Sequence, residues 1–495
     1  MNYLQIIKNR KWKEEESPAS IFILDHWKTG HLETINAFGK LLYSKSIYYL
    51  ADGYGYEWTP LNDTKKTLSW VLHQYKNNRQ YFLRKLKEFK SVSEKIKKEF
   101  DYFLRTNVRS LSNSQIADHY EKIYHLGKNQ YGYGLITECL DTIDEDDYLK
   151  ILPEVNVKDL PSVIENLSLP DELSAFGKEK LDLLKIASKK LEGEKINDLI
   201  EKHTRDYFWV QNNFRRAVYL DQKYFLEALQ KLIKNKTLLP ITKLIKNTEN
   251  RKQKLALKRQ EIYKKYNVTE KTSLFFEIIR LLSLIQDKRK ENVQRMVYCI
   301  DQASSEAARR NGLAKEQLTN YFVDDVLDLL KHNKRLSLEE SQKRIKLVYF
   351  SYLDKGKIKT ELLYGEKADS ILGYFKNERK KIIAKGLIKG FVASLGKGQK
   401  LVIGKVRIIF DPIDCEFHTG EILVTGMTRP EYVPLMKKAK AIITNEGGIT
   451  THAAIVSREL GVPCIIGTKI ATEALKNDDT IEMNMESGQI RKIHG

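Results

Sequence analysis

A histidine that follows two glycines is the part of this sequence whose residue types could do chemistry. His452 comes shortly after Gly447 and Gly448, and the apolar run Ala441–Thr444 precedes them. The pattern predicts a strand, a sharp turn and then an amphipathic helix that begins near His452. Neutral imidazole is a good nucleophile, and the N-terminus of a helix attracts anions. This spacing suits a histidine that accepts, holds and passes on a phosphoryl group, although a histidine beside a glycine pair is more often structural.

Neighbouring hydroxyl and guanidinium groups could hold the phosphate. Thr450 and Thr451 lie where they could cap the helix or donate hydrogen bonds to phosphate oxygens. Arg429 and Arg458 could neutralise phosphate, or could be surface residues in ion pairs. Gly461 predicts the end of the helix. We predict no metal site here, because no second histidine or cysteine lies at ligand spacing.

Residues 391–495 resemble the swivelling phosphohistidine (mobile) domain of phosphoenolpyruvate-utilising enzymes, such as phosphoenolpyruvate synthase, pyruvate phosphate dikinase and rifampicin phosphotransferase. The resemblance implies a C-terminal α/β domain in which His452 is phosphorylated and Thr444, Gly447, Gly448 and Thr451 shape the site. The matching segments follow the family's order: Gly390–Gly396, Gly404–Ile408, Glu421–Thr425, Thr428–Met436, Lys440–Thr444, Glu446–His452, Ala453–Arg458 and Gly461–Gly467.

Composition and length limit the remaining classes of protein. The chain has 495 residues, of which 10% are aromatic, so it has room for several domains with large cores. Its four cysteines are scattered, which argues against a disulfide scaffold. The N-terminus lacks the apolar core of a signal peptide, and no apolar run is long enough to span a membrane. We therefore expect a cytoplasmic protein.

Positive charge is concentrated in residues 1–390. The formal net charge is +20, and residues 391–495 are close to neutral. Such a basic region suits an anionic partner: a nucleotide, a phosphorylated small molecule, an acidic protein or nucleic acid. A lysine-rich composition, with the lysines on the polar faces of helices, would give the same net charge without any anionic partner. Nucleic acid is the less favoured partner, because no known binding motif occurs and the lysines are dispersed.

The sequence predicts a multidomain protein, mostly α-helical before the C-terminal α/β domain. We divide it into a helical, candidate acceptor-binding region at 1–245, a second helical region at 246–385, a hinge at 386–398 and the swivelling domain at 399–495. The proposed hinge contains four glycines: Gly386, Gly390, Gly396 and Gly398.

A weaker resemblance links the helical region to phosphoenolpyruvate-synthase-like proteins. One part of it is the segment Glu201–Trp209. Within this segment and just after it, His203, Trp209, Arg215 and Arg216 could line an acceptor pocket, with Trp209 as a stacking surface; ordinary packing and surface charge would also explain them. The other part of the resemblance rests on Asp287, Arg289, Lys290, Glu306, Ala308, Arg309, Gly312 and Leu313.

The family's nucleotide-binding ATP-grasp domain is not recognisable. We find no phosphate-loop motif and no glycine-rich hairpin in residues 1–390, and no phosphoenolpyruvate-binding barrel after His452. The sequence therefore predicts one part of a split phosphotransferase. A separate ATP-grasp protein, which would supply ATP and Mg²⁺, or phosphoenolpyruvate would be the donor. The alternatives are a ligand-binding or regulatory protein without transfer activity, and a basic nucleic-acid-binding protein.

Overall fold

The fold is described from a computed structural model that covers most of the chain. Its description extends over residues 3–8, 10–51, 53–143, 145–156, 159–234, 237–383, 388–396, 398–412, 415–448 and 451–494.

Residues before the C-terminal domain are mostly helical, as predicted. The α-helices of this region, which we call the body, are α1 Tyr3–Lys8, α2 Ile21–Leu24, α3 Thr34–Phe38, α4 Leu61–Asn77, α5 Arg79–Arg105, α6 Asn113–Gly134, α7 Glu145–Ile151, α8 Leu160–Ser168, α9 Ala175–Leu191, α10 Asn197–Tyr207, α11 Gln222–Ile233, α12 Leu238–Glu249, α13 Arg251–Lys265, α14 Glu270–Arg310, α15 Val323–His332, α16 Leu338–Lys343 and α17 Glu366–Ile383. Short 3-10 helices lie at Asp25–Trp27, Gly30–Glu33, Val108–Ser110, Leu135–Thr142 and Lys315–Asn320.

The long helix α14 lies at the centre of the body, against α5 and α6. Its apolar residues recur with helical spacing and are buried along most of its length, which explains why a 41-residue helix is stable here. Helix α6 begins with a capping box between Ser112 and Gln115, in which each side chain bonds the other residue's backbone N–H. These local signals place the framework that holds the site.

The body also contains a sheet that the sequence analysis did not predict. Within the described residues it has five antiparallel strands in the order β1-β3-β2-β4-β5. Strand β2 has five consecutive buried residues, so it lacks the alternation that reveals a half-exposed strand. The strands are β1 Trp12–Pro18, β2 Lys45–Ala51, β3 Tyr54–Pro60, β4 Lys346–Asp354 and β5 Lys357–Tyr364.

This sheet joins the two ends of the body. Strand β2 pairs with β4, and Tyr48 lies opposite Tyr349 about three hundred residues later in the chain. The largest apolar core extends from Ile23 to Leu330 without a break at the predicted boundary between 245 and 246. One core therefore includes residues on both sides of that boundary. Local sequence patterns do not reveal this, because strands that pair over such a distance leave no local signal.

A mixed sheet forms the C-terminal domain. Eight strands are described, in the order β6-β13-β12-β8-β9-β10-β11-β7, and β8 to β11 run parallel to one another. The strands are β6 Ile388–Lys389, β7 Phe391–Leu395, β8 Leu401–Ile408, β9 Ile422–Thr425, β10 Ala441–Thr444, β11 Pro463–Ile466, β12 Thr480–Asn484 and β13 Gln489–His494. The helices are α18 Val433–Met436, α19 His452–Leu460 and α20 Ala471–Ala474, with a 3-10 turn at Pro430–Tyr432.

The domain's sheet begins at Ile388 rather than at the predicted residue 399. Strand β6 pairs with β13, and β7 pairs with β11, so most of the predicted hinge is part of the sheet. A Cβ at Gly390 would lie 2.4 Å from the carbonyl oxygen of Ile466, so this glycine serves close packing. Gly396 packs against Pro463, Gly398 has open space around it, and Gly386 lies outside the described residues.

Across the described residues, no helix is both long and apolar enough to cross a membrane.

Candidate active site

His452 is the first residue of α19, at the end of the predicted strand and turn. Strand β10 ends at Thr444, and the turn after it includes Gly447 with a φ of 123°. Only glycine adopts this backbone conformation without strain. Helix α19 then runs to Leu460 and stops at Gly461 in the left-handed conformation, as the sequence predicted. The imidazole therefore lies at the positive end of a helix.

The two ring nitrogens of His452 have different surroundings. Nδ1 is 3.0 Å from the Thr428 hydroxyl oxygen. Nε2 is buried and has no hydrogen-bond partner among the described residues. A ring that donates its Nδ1 proton to Thr428 has its lone pair on Nε2, so Nε2 is the nitrogen available to bind phosphorus.

Burial and two cations keep the imidazole neutral. Burial lowers the pKa of His452 well below its ordinary value, and the positive charges of Lys290 and Arg429 lower it further. The Arg429 guanidinium stacks on the Phe214 ring, 5.0 Å from its centre, and its Nη1 has no hydrogen-bond partner among the described residues. The same two cations would attract a phosphoryl group on the ring.

His452 faces a cavity of about 830 Å³ between the C-terminal domain and the body. This volume lies in the range of sites for small molecules and cofactors. Aromatic and apolar side chains line part of it: Trp12, Tyr131, Ile143, Tyr148, Phe214, Val293, Tyr374, Phe375 and Phe391. Charged side chains line the rest, among them Lys13, Glu15, Glu16, Glu138, Asp141, Arg289, Lys290, Arg379, Arg429, Glu431 and Glu446.

Lys13 lies inside a group of three carboxylates on the body side of the cavity. Carboxylate oxygens of Glu15, Glu138 and Asp141 lie within 4.8 Å of one another. The Lys13 ammonium is 2.5 Å from Glu15, 2.6 Å from Glu138 and 3.0 Å from Asp141. Burial lowers the pKa of Lys13, but the carboxylates outweigh it and hold that pKa well above its ordinary value. The ammonium occupies the position that a metal ion would take among these oxygens.

A second set of carboxyl groups lies where the domain meets the body. Burial raises the pKa of Glu16 to about 8 and that of Glu431 to about 7. The Glu446 carboxylate accepts a hydrogen bond from the backbone N–H of Glu16, and Asn445 donates to the Glu16 carboxylate at 3.2 Å. Burial also raises the pKa of Glu446 well above its ordinary value. Residues next to the Gly-Gly turn therefore bind strand β1 of the body.

The residues predicted to hold phosphate divide into two groups. Gly447, Gly448, Thr451 and Arg429 line the cavity with His452. Thr451 is the residue before α19, but its hydroxyl donates to the Gly448 carbonyl at 2.8 Å instead of capping the helix.

The others lie elsewhere. Thr444 is fully buried and donates to the Glu446 carbonyl at 2.6 Å, so it closes the turn. Arg458 donates to the Ala393 carbonyl at 2.6 Å, away from the cavity lining. Thr450 lies outside the described residues.

The structure does not bring the predicted acceptor-binding residues to the cavity. His203 is buried and lies 3.2 Å from Glu179 within the α9–α11 region. Trp209 is buried and donates to the Asp206 carbonyl at 2.9 Å. Arg215 forms an ion pair with Asp411, and Arg216 is also absent from the lining. Packing decides this outcome, because the chain turns so that the residues just before Arg215 line the cavity instead: Asn212, Asn213 and Phe214.

Several lining residues were missed in the sequence. The run Lys13–Glu16 was not predicted as part of a site, yet it lines the cavity as part of strand β1. The sequence signal that could have indicated a site here is the run of one lysine and three glutamates beside a tryptophan. No sequence pattern marks Glu138 and Asp141 as site residues, because their position at the cavity depends on how the Leu135–Thr142 3-10 helix packs. Lys290 belongs to the weaker resemblance and Thr428 to a matched segment, but neither was predicted as a site residue.

The C-terminal region matches a family model described as PEP-utilising enzyme, mobile domain, over residues 417–488. The chain is 46% identical over 136 residues to a probable phosphoenolpyruvate synthase of Staphylothermus marinus, 27% of this chain and 16% of the relative. It is 40% identical over 141 residues to the phosphoenolpyruvate synthase of Aquifex aeolicus, with the same shares. With the synthase of Pyrococcus furiosus it shares 48% identity over 110 residues, 22% of this chain and 13% of the relative.

These matches confirm the resemblance of the C-terminal region. The matched part of the chain spans only about a sixth of the length of these relatives. They therefore characterise the C-terminal region that contains His452.

Proposed function

We propose that this protein carries a phosphoryl group on Nε2 of His452 and transfers it to a small molecule bound in the cavity. The observation that carries the proposal is the position of His452, at a helix N-terminus in a mobile-domain sequence and facing a cavity of ligand size. A neutral imidazole with a free Nε2 is ready to attack phosphorus, and Lys290 and Arg429 offset the phosphoryl charge.

The burial of Nε2 supports a domain that changes position. While the domain lies against the body, Nε2 is shielded from solvent, and a donor held by another protein has no route to it. Phosphorylation by a separate ATP-grasp protein therefore takes place with the domain turned away, whereas phosphoenolpyruvate, the alternative donor, is small enough to enter the cavity. Return to the body then brings the phosphoryl group to the cavity.

The acceptor is a small molecule on this proposal. A volume of about 830 Å³ with aromatic and charged walls accommodates a molecule that has both an apolar part and polar groups. The body, which supplies most of these walls, is the acceptor-binding part of a split phosphotransferase. Mg²⁺ and ATP would belong to the donor protein.

Labelling of His452 tests the proposal. The full chain is incubated with γ- and β-labelled ATP, with and without an ATP-grasp protein from the same genome, and separately with labelled phosphoenolpyruvate. We expect acid-labile label on His452, located by mass spectrometry, and none on a His452→Ala variant. A His418→Ala variant is the matched control, since His418 is an exposed histidine of the same domain. If no donor labels the wild-type chain, the proposal is wrong.

A further inference from the structure

Asp141 lies against the turn that carries His452. It is near the end of the Leu135–Thr142 3-10 helix, on the body side of the cavity. A Cβ placed on Gly448 would be 3.2 Å from the Cα of Asp141 and 3.6 Å from its Oδ1. The backbone of the Gly-Gly turn and this carboxylate are therefore in direct contact when the domain is docked.

The two oxygens of Asp141 have different partners. Oδ2 accepts a hydrogen bond from Lys13 at 3.0 Å. Oδ1 is buried and has no hydrogen-bond partner among the described residues. Lys13 is itself held by Glu15 and Glu138, so it fixes the orientation of the Asp141 carboxylate and leaves Oδ1 available. A buried carboxylate oxygen of this kind is costly unless something binds to it.

We infer, on the basis of the proposed function, that Asp141 is the general base that takes the proton from an acceptor hydroxyl as its oxygen attacks the phosphoryl group on His452. The O–H bond breaks and the proton goes to Oδ1, while the oxygen forms a bond to phosphorus. The P–Nε2 bond breaks, and its electron pair returns to the ring, which keeps its Nδ1 proton toward Thr428 as a neutral imidazole. The products are the phosphate ester of the acceptor, neutral His452 and protonated Asp141.

This assignment selects alcohols as the acceptor class. A hydroxyl group has a proton to give, and its nucleophilicity rises when a base removes it. A carboxylate or phosphate acceptor has no proton to give up as it attacks, so it would not use a base at this position. The aromatic part of the cavity suits an alcohol with an apolar portion.

Other charged groups surround Asp141 and enter any pH profile. They come from strand β1, from its own 3-10 helix, from α7, from α14 and from the docked turn: Lys13, Glu15, Glu138, Cys139, Tyr148, Arg289, Lys290 and Glu446. An Asp141→Asn substitution keeps the shape of the side chain and removes the base together with its charge toward Lys13, whereas Asp146→Asn makes the same change on an exposed residue of α7.

The experiment follows phosphorylated full-length protein in the presence of benzyl alcohol. The chain is first labelled on His452 with the donor that succeeds for the wild type, and the loss of label is then measured from pH 5 to 8. Benzyl phosphate and inorganic phosphate are quantified by ³¹P NMR. We expect label loss from Asp141→Asn to be about 100-fold slower than from the wild type. Asp146→Asn should match the wild type, and Asp141→Glu should recover part of the rate.

The pH profile separates a base from a positioning role. The pH profiles of label loss should differ in shape between the two proteins, because only the wild type has a base at this position. Equal rates in the two proteins, or a slower variant with an unchanged profile, would overturn the assignment of Asp141. Equal circular dichroism spectra and equal thermal unfolding midpoints of the two proteins show that the variant is folded. A wild type that no donor labels would refute the proposed function, and this inference with it.

Discussion

His452 combines a free nitrogen with a neutral ring, and both follow from its immediate neighbours. Thr428 engages Nδ1 and leaves Nε2 for phosphorus. Lys290 and Arg429 disfavour the protonated ring, because like charges repel, but they favour a ring that carries a dianionic phosphoryl group. One arrangement of charge therefore prepares the nucleophile and stabilises the phosphorylated product.

Replacement of Arg429 tests this double role. Loss of the guanidinium in Arg429→Ala should raise the pKa of His452, since one positive neighbour is gone, and NMR titration of the ring would show it. The same variant should transfer phosphate roughly 100-fold more slowly, as expected when one charge-stabilising group is removed. Lys438→Ala, on an exposed lysine of the same domain, should leave both quantities unchanged. A lower pKa in Arg429→Ala would contradict the electrostatic account.

At the scale of elements, the two glycines of the Gly-Gly turn have different roles: one allows a backbone conformation, and the other allows a close contact. Gly447 has a positive φ, which a side chain would strain within the domain itself. Gly448 is needed for close contact, since a Cβ there would be 2.9 Å from the carbonyl oxygen of Leu140 in the body. One glycine therefore shapes the turn, and the other lets the turn approach the 3-10 helix.

Gly448→Ala should weaken docking without unfolding the domain. Crowding of backbone atoms costs about 1–3 kcal/mol, which lowers the docked population relative to the free one by roughly 5- to 150-fold. We expect faster labelling of His452 by an external donor and slower transfer to the acceptor. Gly373→Ala, in open space on α17, should change neither rate. Unchanged labelling and transfer in Gly448→Ala would show that the contact with Leu140 is not retained in solution.

For the whole molecule, Arg379 connects the body to the domain. It lies near the end of α17, forms ion pairs with Glu14 and Glu473, and lies 3.8 Å from Glu16. Its guanidinium also stacks on Tyr56, 5.2 Å from the ring centre. Glu14 and Glu16 belong to the body sheet, whereas Glu473 belongs to the domain, so this residue holds both together next to the cavity.

Arg379→Ala should therefore open the molecule. Removal of one partner from a largely buried ion-pair network leaves carboxylates facing one another and costs about 3–5 kcal/mol. We expect a larger radius of gyration in small-angle X-ray scattering, and retained label on His452 with slow transfer. The rim pair between Arg251 and Glu459 is more exposed, so Arg251→Ala should change docking by about 1 kcal/mol or less. Equal compaction of Arg379→Ala and the wild type would exclude this role.

The sequence by itself determined the features that depend on neighbours in the chain. Strand β10, the glycine turn, helix α19 from His452 and its stop at Gly461 follow from local periodicity and backbone preference. The Ser112 capping box and the long apolar helix α14 were predictable for the same reason. The C-terminal resemblance rests on such contiguous segments and was confirmed by the family match.

Only the tertiary structure decided what surrounds His452. Lys13, Asp141 and Lys290 come from a strand, a 3-10 helix and an α-helix that are far apart in the chain, and no spacing rule brings them together. The body sheet was missed because its buried strands lack alternation and pair across about three hundred residues. His203 and Trp209 were predicted to line an acceptor pocket, but both side chains are buried by packing within the body. Long-range packing, which local sequence does not encode, selected the walls of the cavity.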